Sequence, residues 1–231
     1  RSSDLNEPVS TELELFGKTF KYPIFAGPVG AVSMHYSDAF NDTSYNDVLV
    51  KGCIDAGICA FTGDGKDPSI MENATRIIKE NHGHGIPTVK PWSLETYLEK
   101  LNLAIDSHAF AIAMDVDAAG LPFLKGCIPP AGRMNTEQLK EIISNTPVPF
   151  IVKGVMTVKG ALKAKEAGAS AIVVSNHGGR VQDQCPATAE VLEEIVKAVD
   201  GSMKIFVDGG LRNGVDIFKA LALGADAVIV A

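Results

Sequence analysis

Residues 148–177 read VPFIVKGVMTVKGALKAKEAGASAIVVSNH. The apolar run over 148–155 has the length and β-branched content of a buried strand. Over 157–167, Val158, Ala161, Leu162 and Ala167 fall on one stripe and the lysines on the other, as in a helix covering a core. Gly168 comes just past that helix, where a left-handed backbone is needed, and a second apolar run occupies 171–177. A strand, a helix and a strand of this length make one crossover between parallel neighbours.

The same unit recurs along the chain. Strands are expected at 23–29, 58–62, 86–90, 109–117, 148–155, 171–177, 204–208 and 227–231, with helices at 44–56, 67–81, 94–106, 135–145, 157–167, 187–199 and 213–223. Eight units average about 29 residues each, which fits a single-domain closed (β/α)8 barrel, the TIM fold, over 1–231. The alternative is an open doubly wound sheet. Its G-x-G-x-x-G turn is missing, because Gly27-Pro28-Val29-Gly30 does not match it. A complete barrel typically takes about 250 residues, and the shortage falls at the C-terminus, where the last helix is absent from the chain. The expectation is an apolar strand face left exposed there, with a longer natural protein or a partner to cover it. Residues 1–20 form an N-terminal extension: Thr11 to Phe16, then Gly17-Lys18 and Thr19-Phe20, alternates like a two-stranded β-ribbon that plugs the bottom of the barrel.

Composition narrows the function classes. Of the 231 residues 46% are hydrophobic and 21% charged, and no apolar run approaches the length of a membrane span. The net charge of −7 argues against non-specific nucleic-acid binding. No apolar signal core lies near Arg1, and Cys53, Cys59, Cys127 and Cys185 show no C-x-x-C pairing, so reduced thiols in a cytoplasmic protein are expected. His82-Gly83-His84 lacks a third ligand and is read as a loop ending a helix, so no metal is expected.

Charged and polar residues gather where the predicted strands end. Lys90, Asp115, Asp117, Lys153, Ser175-Asn176-His177 and Asp208 all fall at C-terminal strand ends, the face at which parallel barrels place their sites. Within Ser175-Asn176-His177-Gly178-Gly179-Arg180, the histidine has the chemistry of a base near neutral pH. The two glycines allow a sharp turn beside a ligand, and the arginine can grip a carboxylate in bidentate fashion.

This six-residue segment, followed by Pro186-Ala187-Thr188, closely resembles the signature of the FMN-dependent α-hydroxy-acid oxidases and dehydrogenases, such as glycolate oxidase, lactate oxidase and flavocytochrome b2. Ala26-Gly27-Pro28 resembles that family's flavin-contacting first turn. Ile151 to Val155 resembles its lysine segment, and Val207 to Arg212 with Asp216 to Gly224 its phosphate region. The Asp-Gly-Gly-x-Arg stretch alone also resembles inosine monophosphate dehydrogenase, but none of the four cysteines sits in a recognisable catalytic loop.

The resemblance implies FMN as cofactor and a small L-2-hydroxy carboxylate as substrate. His177 would be the base, Asp117 its partner, Arg180 the carboxylate clamp and Lys153 the cation at the flavin N1/C2 edge. Ala26, Gly27, Pro28, Thr62, Lys90, Asp115, Ser175, Asp208, Gly209, Gly210 and Arg212 complete the expected cofactor contacts. Departures fall in the same region. Lys90-Pro91-Trp92 stands where the family carries Gln-x-Tyr, which makes Trp92 the expected substrate contact. Asp115 stands at the family's threonine, and Ala118-Ala119-Gly120-Leu121 replaces a second substrate arginine for which Lys125 or Arg133 could substitute. Thr62-Gly63-Asp64 replaces a serine-containing flavin contact. The alternatives are a barrel that binds flavin or a phosphorylated ligand without turning over hydroxy acids, and a flavin-dependent isomerase. A homo-oligomer is expected.

Overall fold

The computed structural model describes residues 9–36 and 38–231; the first eight residues of the expected extension lie outside it. Eight parallel strands close into a barrel. In chain order they are β3 (Ile24–Ala26), β4 (Cys59–Thr62), β5 (Ile86–Val89), β6 (Ile112–Asp115), β7 (Phe150–Val155), β8 (Ala171–Val174), β9 (Lys204–Val207) and β10 (Ala227–Val230). Before them β1 (Leu13–Leu15) and β2 (Lys18–Phe20) form an antiparallel pair turning at Phe16-Gly17. Helices α1 (Val32–His35), α2 (Asp42–Ala56), α3 (Pro68–Glu80), α4 (Leu94–Asp106), α5 (Thr136–Ser144), α6 (Val158–Glu166), α7 (Thr188–Val199) and α8 (Gly214–Ala222) lie between the strands.

Local chemistry sets the helix ends. Asn41 and Ser44 cap α2 reciprocally and Asn135 and Gln138 cap α5, each pair satisfying backbone donors that the first turn leaves free. α2 starts two residues before the expected 44, so the cap lies within the polar stretch. The strands are shorter than their apolar runs: the run at 109–117 ladders only over Ile112–Asp115, and the chain from Val116 to Gly120 winds into a 3-10 turn. Hydrophobicity reports burial, and Ala109 and Ala111 are buried without joining the ladder.

Inside the barrel Phe25, Phe61 and Phe206 pack edge to face with Leu15 and Phe20 of the ribbon against them. The ribbon thus closes one end with apolar side chains. Ala227 and Ile229 of β10 belong to the barrel interior, and on its outer face Val228 is buried, α8 packing against the strand, whereas Val230 is 39% exposed. The expected open apolar face is thus present in part, at Val230 with the exposed Val215 and Phe218 of α8.

Candidate active site

A cavity of about 810 Å³ opens at the C-terminal end of the strands. Of the expected site residues, Pro28, Lys90, Asp115, Lys153, His177, Arg180, Asp208, Gly209, Gly210 and Arg212 line it. Lys90, Asp115, Lys153, His177 and Asp208 lie in or just after five different strands, β5 to β9, so closing the sheet is what brings them together.

The base candidate sits on a strained turn. After β8 the chain enters the left-handed region at His177 (φ 58°), Gly178 (67°) and Gly179 (75°), and the Asn176 side chain accepts the Gly179 N–H. Only glycine adopts this conformation cheaply, so the two glycines let the histidine turn back over the barrel mouth. Its Nδ1 lies 3.1 Å from Asp117 Oδ1 and 3.6 Å from Asp115 Oδ1. With the proton on Nδ1, Nε2 is free to accept one. Ser175 is buried beneath, its Oγ accepting from Lys153 Nζ and from the His177 N–H, each at 3.2 Å. Arg180 Nε donates to the His177 carbonyl at 3.0 Å, and among the described residues no carboxylate pairs with its guanidinium.

Asp117 reaches the imidazole because of a bulge in β7. The register shifts between Lys153 and Val155, and Gly154 (φ 97°) lies so close to the Asp117 carboxyl that a Cβ would collide with it. Burial raises the Asp117 carboxyl above its ordinary value, partly offset by the hydrogen bond with His177, and the neighbouring Asp115 adds to the rise. Asp115 behaves oppositely. Burial would raise it, but Lys153 and Lys90, at 3.2 and 3.5 Å, outweigh that and hold it well below the carboxylate range. For Lys153, burial works against the charged form, yet Asp115 and Asp208 hold it charged, Asp208 being 3.6 Å away. Asp115, Asp117 and His177 approach closely enough to surround an ion. The two ammonium groups already on Asp115 make them a hydrogen-bonded cluster instead.

Several expected contacts fall elsewhere. Ala26, Gly27 and Thr62 do not border the cavity: Gly27 donates to the Val230 carbonyl at 2.7 Å, and Thr62 is fully buried. Trp92 is a correction. It is 1% exposed and does not line the cavity; its Nε1–H donates to Asp64 Oδ2 at 2.6 Å, and Asp64 is itself part of the cavity wall. Lys125 and Arg133 do not line the cavity either; Arg133 borders a small groove on the far side of Trp92. His84 Nε2 lies 2.8 Å from the Ile58 carbonyl, a structural contact.

The sequence reading missed what holds Trp92 in place. Asp64 also accepts from the N–H groups of Lys90 and Gly65, at 3.0 and 2.8 Å, and pairs with the buried Lys100 of α4. A lysine on a helix reads as exposed by default; the unusual aspartate at the end of β4 was the available signal. His35 and Phe123 were missed too, their rings 5.6 Å apart on the cavity wall. Desolvation lowers the His35 imidazole's proton affinity, and the charges of Arg180 and Lys90 lower it further.

Buried polar atoms without partners test whether a flavin nucleotide fits. Asp208 Oδ1 and Thr88 Oγ1 lack any partner, and both residues line the cavity beside Gly209, Gly210 and Arg212. Unpaired buried acceptors of this kind call for a hydroxyl-rich ligand, and a ribityl phosphate supplies hydroxyls for Asp208 and an anion for Arg212.

Known proteins resemble this chain both in sequence and in fold. The family model described as FMN-dependent dehydrogenase matches residues 123–231. That stretch is 109 of the 231 residues, just under half of the chain, and it carries the likeness to FMN-dependent dehydrogenases. A peroxisomal (S)-2-hydroxyacid oxidase of Arabidopsis thaliana is 56% identical over 87 residues, 38% of this chain and 24% of that enzyme. A Roseobacter L-lactate oxidase is 50% identical over 94 residues, 41% of this chain and 25% of that enzyme. The matched stretches thus span about a quarter of these curated relatives. A mandelate oxidase crystal structure with 2-hydroxy-phenylacetamide superposes with a TM-score of 0.79 at 29% identity, over 96% of this chain and 68% of that one. The likeness in fold therefore extends well beyond the stretch that matches by sequence. Among the described residues no helix is long and apolar enough to cross a membrane.

Proposed function

We propose that this barrel binds FMN and oxidises a small L-2-hydroxy carboxylate to the 2-oxo acid. The observation that carries the reading is the His177–Asp117 pair, 3.1 Å apart, on a cavity that also presents Arg180. Asp208, Gly209, Gly210 and Arg212 would hold the ribityl phosphate, and Lys153, with Lys90 and Asp115, the ring's polar edge. When bound, the flavin takes up the two electrons and the α-hydrogen of the substrate.

The protein's own groups do the rest. Arg180 binds the substrate carboxylate with a planar pair of donors. This orients the hydroxyl toward His177 Nε2, which takes its proton as the C–O bond becomes a carbonyl. Asp117 holds the imidazole through Nδ1 and stabilises the cation formed there. Lys153, held charged by Asp115 and Asp208, supplies positive charge where negative charge accumulates.

The test is anaerobic mixing of the FMN-loaded protein with a panel of L-2-hydroxy acids. Bleaching of the flavin band is expected, and His177→Ala should stay yellow without bleaching. A protein that takes up no FMN, or a variant that bleaches as fast as the parent, would overturn the reading.

A further inference from the structure

The related enzymes resembled by this chain carry a glutamine and a threonine where it has Lys90 and Asp115. The replacements are coupled: Lys90 follows β5, Asp115 ends the neighbouring β6, and their charged atoms lie 3.5 Å apart with side chains 11% and 6% exposed. Lys90 without Asp115 would be a buried charge with no ion-pair partner among the described residues, which is costly. Together with Lys153 at 3.2 Å they form a row of positive, negative and positive charge across the cavity floor. Asp115 Oδ1, the atom on Lys153, also faces His177 Nδ1 at 3.6 Å. One carboxylate therefore touches the two ammonium groups on the cofactor side and the imidazole on the substrate side.

We propose that Asp115 is a positioning residue that sets the charge felt jointly by the cofactor cavity and by the base, through Lys90 and Lys153 on one side and His177 on the other. The proposal rests on the function given above. The imidazole N–H donates to the nearer Asp117, so Asp115 acts on His177 by charge and on the lysines by contact. The other charged groups around it are Asp117 in the turn after β6, Asp208 after β9, and Arg180 after His177. None of them contacts both lysines: Asp208 reaches only Lys153. Removing the Asp115 charge leaves two buried ammonium groups facing one cavity. Anionic reduced flavin is then favoured and imidazolium disfavoured, so two observables move by one cause.

The test uses the FMN-loaded full chain and its variants Asp115→Asn, Asp115→Thr and Lys90→Met. Two quantities are read: the midpoint potential of bound FMN, by equilibration with redox dyes, and the pH at which substrate-driven anaerobic flavin reduction is half-maximal on its acid limb. In Asp115→Asn the potential should rise and the acid limb should move to lower pH by about one unit. Lys90→Met should move both the opposite way, because Asp115 is then less neutralised. Asp115→Thr repeats the first result in the side chain of the relatives if the asparagine variant does not fold. An Asp115 variant that holds FMN with both quantities at the parental value overturns the proposal and leaves the function standing. Movement of one without the other overturns the coupling. If no hydroxy acid reduces the parent's FMN, the function has failed, and the proposal's claim on the base with it.

Discussion

Side chains two residues apart on a strand point to the same face, so Ala113 and Asp115, Ile151 and Lys153, Val173 and Ser175, and Phe206 and Asp208 are successive inward positions of four strands. The first member of each pair belongs to the apolar interior with Phe25 and Phe61. The second belongs to the polar layer at the mouth. One pleat separates a layer closed by the ribbon from a layer of ion pairs open to a cavity. The lower layer needs only shape and hydrophobicity, since its partners come from any neighbouring strand. The upper layer needs particular neighbours in register, and the pairing of Asp115 with Lys153 across β6 and β7 provides one.

Substitutions in the two layers should therefore fail differently. The largest effect is expected from His177→Ala, which should lower the rate of flavin reduction about 10²- to 10⁴-fold while FMN stays bound, as followed by stopped-flow absorbance. Below it, Phe25→Ala should cost about 3 to 5 kcal/mol of stability in chemical denaturation. Reduction per folded molecule should persist, because the deleted ring lies in the apolar layer. If that variant lost activity while fully folded, the separation of the layers would be wrong. Gly154→Ala joins both kinds of failure. The left-handed backbone should cost about 1 to 2 kcal/mol, and displacement of Asp117 should slow flavin reduction up to about 10²-fold. The smallest effect belongs to neither layer: Asn135→Ala, at the cap of α5, should cost about 1 kcal/mol and leave the reduction rate unchanged.

Much of this was legible in the chain. The alternation of runs marked all eight barrel strands and the helices between them apart from the short α1, and the ribbon was legible as a plug at one end of the barrel. The polar strand ends marked Lys90, Asp115, Lys153, His177 and Asp208, all of which border the cavity. Trp92 was misplaced because its direction depends on Asp64, 28 residues away, and on the buried Lys100 of another helix. The apolar face expected open at β10 is open only at Val230, because α8 packs on the strand and buries Val228.

By itself the sequence determined the repeating strand and helix units and which residues stand at strand ends, since both follow from periodicity and local turn chemistry. It also carried the Ser175 to Arg180 segment that points to the family. Only the tertiary structure decided which charges meet. That Asp115 touches two lysines and faces His177, that Asp117 approaches through the bulge at Gly154, and that Trp92 donates to Asp64 depend on barrel closure and strand register. These bring together residues 25 to 62 positions apart, and no local pattern encodes such distances.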